Sequence, residues 1–182
     1  SITLRSASSS MPEMWTSATL GLGGNIGDPR AAMAKALAAL SDRSDCRLVS
    51  VSELYRTPPW GKTDQADFFN CCALIETALP AEALLDLCLD IERGMKRVRL
   101  ERWGPRTIDI DVLTYGDAEI LTERVEIPHP RMTERAFVLM PLADIAPDLV
   151  VKGRRVIEWL ADADKTGIVR ANEKREWWAT PA

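Results

Sequence analysis

An α+β fold, built as β-α-β-β-α-β around a mostly antiparallel sheet, is predicted by three features of this 182-residue sequence. Apolar residues alternate or cluster over 47–55, 68–77 and 108–113, each a strand-length run bounded by turn residues. They recur at helical spacing over 28–40 and 81–94. The second and third strands follow one another with only a loop between them, so the chain is not a repeat of parallel strand–helix–strand units. This order is the ferredoxin-like one, with two helices on one face of the sheet.

Each element has a local cause. Residues 1–16 are Ser-rich and aperiodic, so a disordered leader is expected there, with a single domain over 17–165 and a tail of uncertain order over 166–182. Residues 18–22 form a short apolar strand leading into Gly23, Gly24 and Asn25. Asp28-Pro29 reads as an N-cap followed by a proline at the first helical position, and Met33, Leu37 and Leu40 then share a face. Over 47–55 the apolar members are Leu48, Val49, Val51, Leu54 and Tyr55, before Thr57-Pro58-Pro59 breaks the strand. Leu79-Pro80 opens the second helix, which buries Leu84, Leu85, Leu87, Cys88 and Ile91. A basic, apolar-poor loop is expected over 95–105. Beyond Gly116 come a hairpin-like stretch over 119–126, a helix over 133–140, a loop over 141–147 and a short helix over 156–160. Trp177 and Trp178 read as packing or tail.

Composition excludes several classes. The net charge of −4 argues against a general nucleic-acid binder, although Lys96, Arg97, Arg99, Arg102 and Arg106 fall within eleven residues. No apolar run is long enough to span a membrane, and the first residues lack a signal-peptide pattern. Cys46, Cys71, Cys72 and Cys88 have no zinc-ligand spacing and sit in apolar runs. Buried reduced thiols, and hence a reducing cytoplasm, are expected.

The stretch Arg102–Asp111 carries the chemistry: two cations, an indole, a Gly-Pro turn and two carboxylates. On a strand, Asp109 and Asp111 share a face roughly 7 Å apart, while Ile108, Ile110 and Val112 face the core. Such a pair is either a solvated surface edge or a site for a hard divalent cation. Arg102 and Arg106 just upstream favour the site, since they suit the polyphosphate that magnesium usually carries.

Other motifs leave alternatives open. Gly21-x-Gly23-x-x-x-Gly27 lacks the spacing of a dinucleotide-binding loop and reads as a tight turn into the first helix, with Asn25 fixing that turn. Thr57-Pro58-Pro59-Trp60 is either a partner-binding turn or one wall of a flat pocket shared with Phe68 and Phe137. In the second case Asn70 offers an amide donor and acceptor to a heterocycle edge. His129, held between two prolines and followed by Arg131 and Arg135, suits either a local hydrogen bond or a phosphate. A dinucleotide-dependent oxidoreductase and a non-catalytic ligand-binding module are the rival readings.

Taken together, LGLGGNIGD (20–28), YRTPPWG (55–61), DQADFFN (64–70), RVRLERWGPRTIDIDVL (97–113) and IPHPRMTERAFVLMPL (127–142) resemble the 6-hydroxymethyl-7,8-dihydropterin pyrophosphokinases of folate biosynthesis. The resemblance spans about 18–149 and implies ATP as co-substrate, two Mg2+ ions and a pterin. It implies that Asp109 and Asp111 bind metal and that Arg97 and Arg106 hold the triphosphate. Glu92, Arg99, Trp103, His129 and Arg135 fall on ATP-contacting or loop-closing positions, and Thr57, Pro58, Trp60, Phe68, Asn70 and Phe137 on the pterin pocket. Trp60 is bulkier than the aliphatic residue common there, Pro130 stands where some members carry an aromatic, and the 97–103 loop is one residue shorter than in some. The corresponding expectation is a monomeric, cytoplasmic, magnesium-dependent enzyme with small-molecule partners, no nucleic acid and no membrane.

Overall fold

The structure, a computed structural model, describes residues 15–59, 64–101 and 108–179, with side chains for all of these except 96–101. Strands β1 (Thr16–Gly24), β2 (Cys46–Val51), β3 (Tyr55–Thr57), β4 (Phe68–Thr77) and β5 (Asp109–Tyr115) interleave with helices α1 (Pro29–Ser41) and α2 (Ala81–Glu101). The described strands of the main sheet run β3-β4-β1-β5, with β2 also on β4, and all these pairs are antiparallel. The ferredoxin-like order read from the sequence is therefore the observed one.

The two faces of the sheet have separate cores. Helices α1 and α2 bury Met33, Leu37, Leu84 and Cys88 against Leu20, Leu22, Ile75 and Ile110. Asp28 caps α1 as expected: its carboxylate accepts from the Ala31 amide at 3.1 Å, with Pro29 following it in the first turn. On the opposite face lie a short 3-10 turn (Met132–Glu134), α3 (Ala136–Ile145) and α4 (Val156–Ala161). There Met132, Leu139, Leu142 and Val156 pack on Cys72 and Leu113. Two small hairpins, β6 (Ile120–Leu121) with β7 (Glu126–Ile127) and β8 (Val150–Val151) with β9 (Arg154–Arg155), complete the connections.

Several expectations change. The single strand over 47–55 is split into β2 and β3, with a register shift at Leu48/Ser50. At the break, buried Ser52 keeps contact with β4: its Oγ accepts from the Cys72 amide at 2.8 Å, and its own amide donates to the Cys72 carbonyl at 2.9 Å. Val49, one of the apolar members of that strand, is exposed. The basic stretch from 95 is helical to Glu101 and is not a loop. Lys, Arg, Leu and Glu are good helix formers, so the composition of this stretch does not oppose a helix. The loop expected from 141 is also helical, because α3 runs through Pro141 to Ile145. A proline inside a helix removes one amide hydrogen bond and crowds the carbonyl four residues back, a cost that burial of Pro141 and Leu142 opposes here. The expected leader lies outside the described residues up to position 14, and β1 begins at Thr16.

The C-terminal segment, read from the sequence as a tail, is built into the domain. Strand β10 (Val169–Arg170) adds antiparallel to β3. The Ala171 amide donates to the Leu54 carbonyl at 2.7 Å, and the Leu54 amide donates to Asn172 Oδ1 at 2.9 Å. Trp177 is 1% exposed and its indole N–H donates to the Ser52 carbonyl at 3.0 Å. Trp177→Ala is expected to cost about 3–5 kcal/mol, as loss of a fully buried aromatic does. Urea unfolding reads this, and a loss below about 1 kcal/mol would contradict the packing assigned to Trp177.

Candidate active site

The site is set by the pleat of four adjacent strands. On β1, Gly21 and Gly23 face one side, flanked in register by Cys72 and Asn70 on β4 and by Asp111 and Asp109 on β5. Phe68 opens β4 two residues before Asn70, directly across from Thr57 on β3. These positions alternate with Leu20, Leu22, Ile110 and Val112, which are buried in the other core. Helix α3 covers only part of the face, and its first turn brings Arg135 and Phe137 over the remainder. The result is a recess of about 460 Å³. Its walls include Thr57, Phe68, Asn70, Phe137, Arg135, Asp109 and Asp111.

One wall is apolar and aromatic, the other anionic. Burial raises the Asp111 pKa above the ordinary aspartate range; neighbouring His129 and Arg135 oppose that shift, and Asp109 adds to it. His129 is shifted down, chiefly by burial, with Asp111 opposing. Its backbone amide donates to the Leu113 carbonyl at 2.9 Å, which fixes the Pro-His-Pro segment beside β5, and its Nδ1 accepts from the Arg131 amide at 3.3 Å. The Arg135 guanidinium lies 5.6 Å from the Phe137 ring centroid, a cation–π contact that presents both to the recess. Thr57 Oγ1 is buried without a hydrogen-bond partner among the described residues. An orphaned hydroxyl on a cavity wall is a polar group waiting for a ligand. The donor set of Asp109 and Asp111 fits magnesium, which takes one or two carboxylates and completes its shell with water and phosphate oxygens.

Other predicted residues are placed differently. The Glu92 carboxylate, which the sequence resemblance put near ATP, accepts from the Ile110 amide at 2.6 Å. It thus ties α2 to the edge strand midway between the two aspartates. Pro58 is exposed and lies near the Gly167 turn, away from the residues lining the recess. His129 does not line the recess either, but it faces Asp111 from beside it. Trp60, Trp103 and Arg106 lie outside the described residues, as do the side chains of Arg97 and Arg99. The glycines are corrected: only Gly27, with φ 68°, serves a turn, whereas Gly21 and Gly23 belong to β1 and line the recess. Asn25 does not fix its own turn; its Nδ2 donates to Gln65 Oε1 and to the Ala66 carbonyl, both at 3.3 Å, joining the loop after β1 to the one before β4. Period-two spacing of Gly21 and Gly23 was the signal that could have placed them on a strand face.

Comparison with known proteins converges on one family. The family model described as 7,8-dihydro-6-hydroxymethylpterin-pyrophosphokinase (HPPK) matches residues 19–147. The chain belongs to this family. The 2-amino-4-hydroxy-6-hydroxymethyldihydropteridine pyrophosphokinase of Methylorubrum extorquens is 53% identical over 155 residues, covering 85% of this chain and 98% of that protein. The enzyme of the same name from Haemophilus influenzae is 44% identical over 140 residues, covering 77% and 88%. Among solved structures, wild-type Plasmodium falciparum HPPK-DHPS with SDX-DHP superposes with a TM-score of 0.66 at 16% identity, which shows a shared fold. That match covers 85% of this chain and 47% of the malarial one, so the present chain spans less than half of the longer protein.

Two predictions follow for this pyrophosphokinase-family protein. Because burial holds the folded-state pKa of Asp111 above its unfolded value, the group favours folding in acid, and that contribution is lost as pH rises through the folded value. At neutral pH its charge therefore opposes folding. Asp111 is exposed to solvent in the open recess, so water screens much of this effect; Asp111→Asn should raise the melting temperature of metal-free protein slightly at pH 7, with the gain vanishing below the ordinary aspartate range, and equal gains at both pH values would refute the raised pKa. Thr57→Val should leave unfolding stability unchanged or raised by up to about 1 kcal/mol, since it removes an unpartnered hydroxyl at equal volume. Denaturant titration reads it, and a loss beyond about 1 kcal/mol would mean the hydroxyl has a partner in the fold.

Proposed function

We infer that the chain transfers pyrophosphate from ATP to the hydroxymethyl group of 6-hydroxymethyl-7,8-dihydropterin, releasing AMP and yielding the pterin diphosphate used in folate biosynthesis. The observation that carries the reading is the meeting, in one recess, of two aromatic side chains, an amide and an orphaned hydroxyl with a pair of strand-borne carboxylates. A flat, hydrogen-bonding heterocycle matches the first group and a cation-laden polyphosphate the second.

In this reading Phe68 and Phe137 hold the pterin ring, while Asn70 and Thr57 address its polar edge. Asp109 and Asp111 hold two magnesium ions, which when bound neutralise triphosphate charge and acidify the attacking hydroxyl. Glu92 keeps both carboxylates aimed into the recess through the Ile110 amide. Arg135, stacked on Phe137, stands where pterin and phosphate meet and adds positive charge to that boundary. Arg97 and Arg106 take up the charge that develops on AMP as it leaves, and Arg99, Trp103 and His129 contact the nucleotide. The hydroxymethyl oxygen attacks the β-phosphorus; its proton passes to Asp109 or to water in the recess. Four unpaired buried cysteines support a reducing cytoplasmic setting.

The test is AMP release with ATP and hydroxymethyl-dihydropterin, with and without magnesium. Release should require both pterin and metal. Asp111→Ala should lower turnover by about 10²-fold or more at ordinary magnesium. A near-normal rate for that variant would remove Asp111 from the metal site, and pterin-independent AMP release would overturn the assigned reaction.

A further inference from the structure

Asn70 offers both a donor and an acceptor to the recess, yet its side chain has no hydrogen-bond partner among the described residues. Among those residues it is packing, and not a hydrogen bond, that bears on its orientation. Its directly paired neighbour on the central strand is Gly23. Side chains at such cross-strand positions normally stand side by side, their Cβ atoms about 5 Å apart. Here the amide leans over the glycine instead: a Cβ built on Gly23 would lie 2.5 Å from Asn70 Oδ1 and 3.6 Å from its Cγ. Whichever terminal atom of the amide occupies that place, the overlap is the same. Backbone conformation does not require glycine there, because Gly23 is absent from the positive-φ glycines of the described chain. Nor is the glycine at 21 equivalent, since the nearest atoms to a Cβ at that position are Leu113 side-chain carbons, at 3.4 to 3.6 Å, ordinary van der Waals distances.

We propose that Gly23 is a specificity-determining positioning residue: the space left by its missing side chain holds the Asn70 amide in the orientation that reads the polar edge of the heterocycle. This rests on the reading of Asn70 as a pterin contact. The glycine acts through Asn70 and not through ATP, because no Asp109 atom is among the three nearest that a Cβ at 23 would meet. The only severe overlap is with the end of a side chain that can rotate, so the substitution redirects Asn70 and leaves the sheet intact.

The experiment is a double-mutant cycle read by pterin affinity, with MgATP affinity and melting temperature measured alongside. Gly23→Ala should weaken pterin binding about tenfold, the worth of roughly one well-made hydrogen bond, with MgATP binding and melting temperature unchanged. In an Asn70→Ala background the same substitution should change pterin affinity less than about twofold, because nothing is left to displace. Equal factors in both backgrounds would overturn the glycine's role while leaving that of Asn70 standing. Asn70→Ala binding pterin as well as the parent would strike the reading of Asn70 itself, and this proposal with it. Should Gly23→Ala fail to fold, the double variant must fold, since it lacks the atom at 2.5 Å; an unfolded double variant would also refute the proposal.

Discussion

Two carboxylates on one face of an edge strand repel each other and lose hydration wherever protein closes over them, and the structure is arranged around that cost. Strand β5 bears them at its free edge, where α2 supplies Glu92 to take up the Ile110 amide. The alternation of the strand sends Ile108, Ile110 and Val112 into the larger core, which fixes the register. A slip by one residue would bury both charges and expose three apolar side chains. Anchoring by the core is therefore what lets the protein keep a raised-pKa aspartate in an open recess with no ion pair to it among the described residues.

The same alternation made most of the fold legible in the sequence. Strand β4 has the bounds read from its pattern, and α1 begins at the Asp-Pro pair that the capping rule identifies. Where the reading went wrong, a local rule met a tertiary one. The basic end of α2 lacks apolar residues, yet nothing in its composition opposes a helix. Pro141 reads as a stop, but burial of Leu139 and Leu142 against Cys72 and Leu113 outweighs one missing amide bond. The split between β2 and β3 depends on Ser52, whose role is visible only once β4 lies beside it. Strand β10 is two residues long and has no period to detect; Asn172 and Trp177, which secure the segment, act across more than a hundred residues of chain.

The site was legible in a different way. Asp109 and Asp111 could be placed by spacing alone, since one strand carries both. Phe68, Asn70 and Phe137 could not be brought together by any local pattern; the resemblance to a family placed them, and the recess unites them with Thr57 and Arg135. Glu92 is a carboxylate on a helix and looks like a ligand contact until its amide partner is seen. Sequence shows which groups are able to bind, whereas geometry separates the groups that face the recess from those that aim them.

The glycines of β1 carry that distinction furthest. A run of Gly21, Gly23, Gly24 and Gly27 before a helix suggests a loop, because glycine is usually read for its backbone freedom. Only Gly27 uses that freedom, at φ 68°. At Gly23 the missing Cβ matters instead, since its place is taken by the amide of Asn70 leaning over from the neighbouring strand. The transfer reaction requires the heterocycle and the polyphosphate to meet at one point, and a strand with no side chain at that register lets the two walls serve the same cavity.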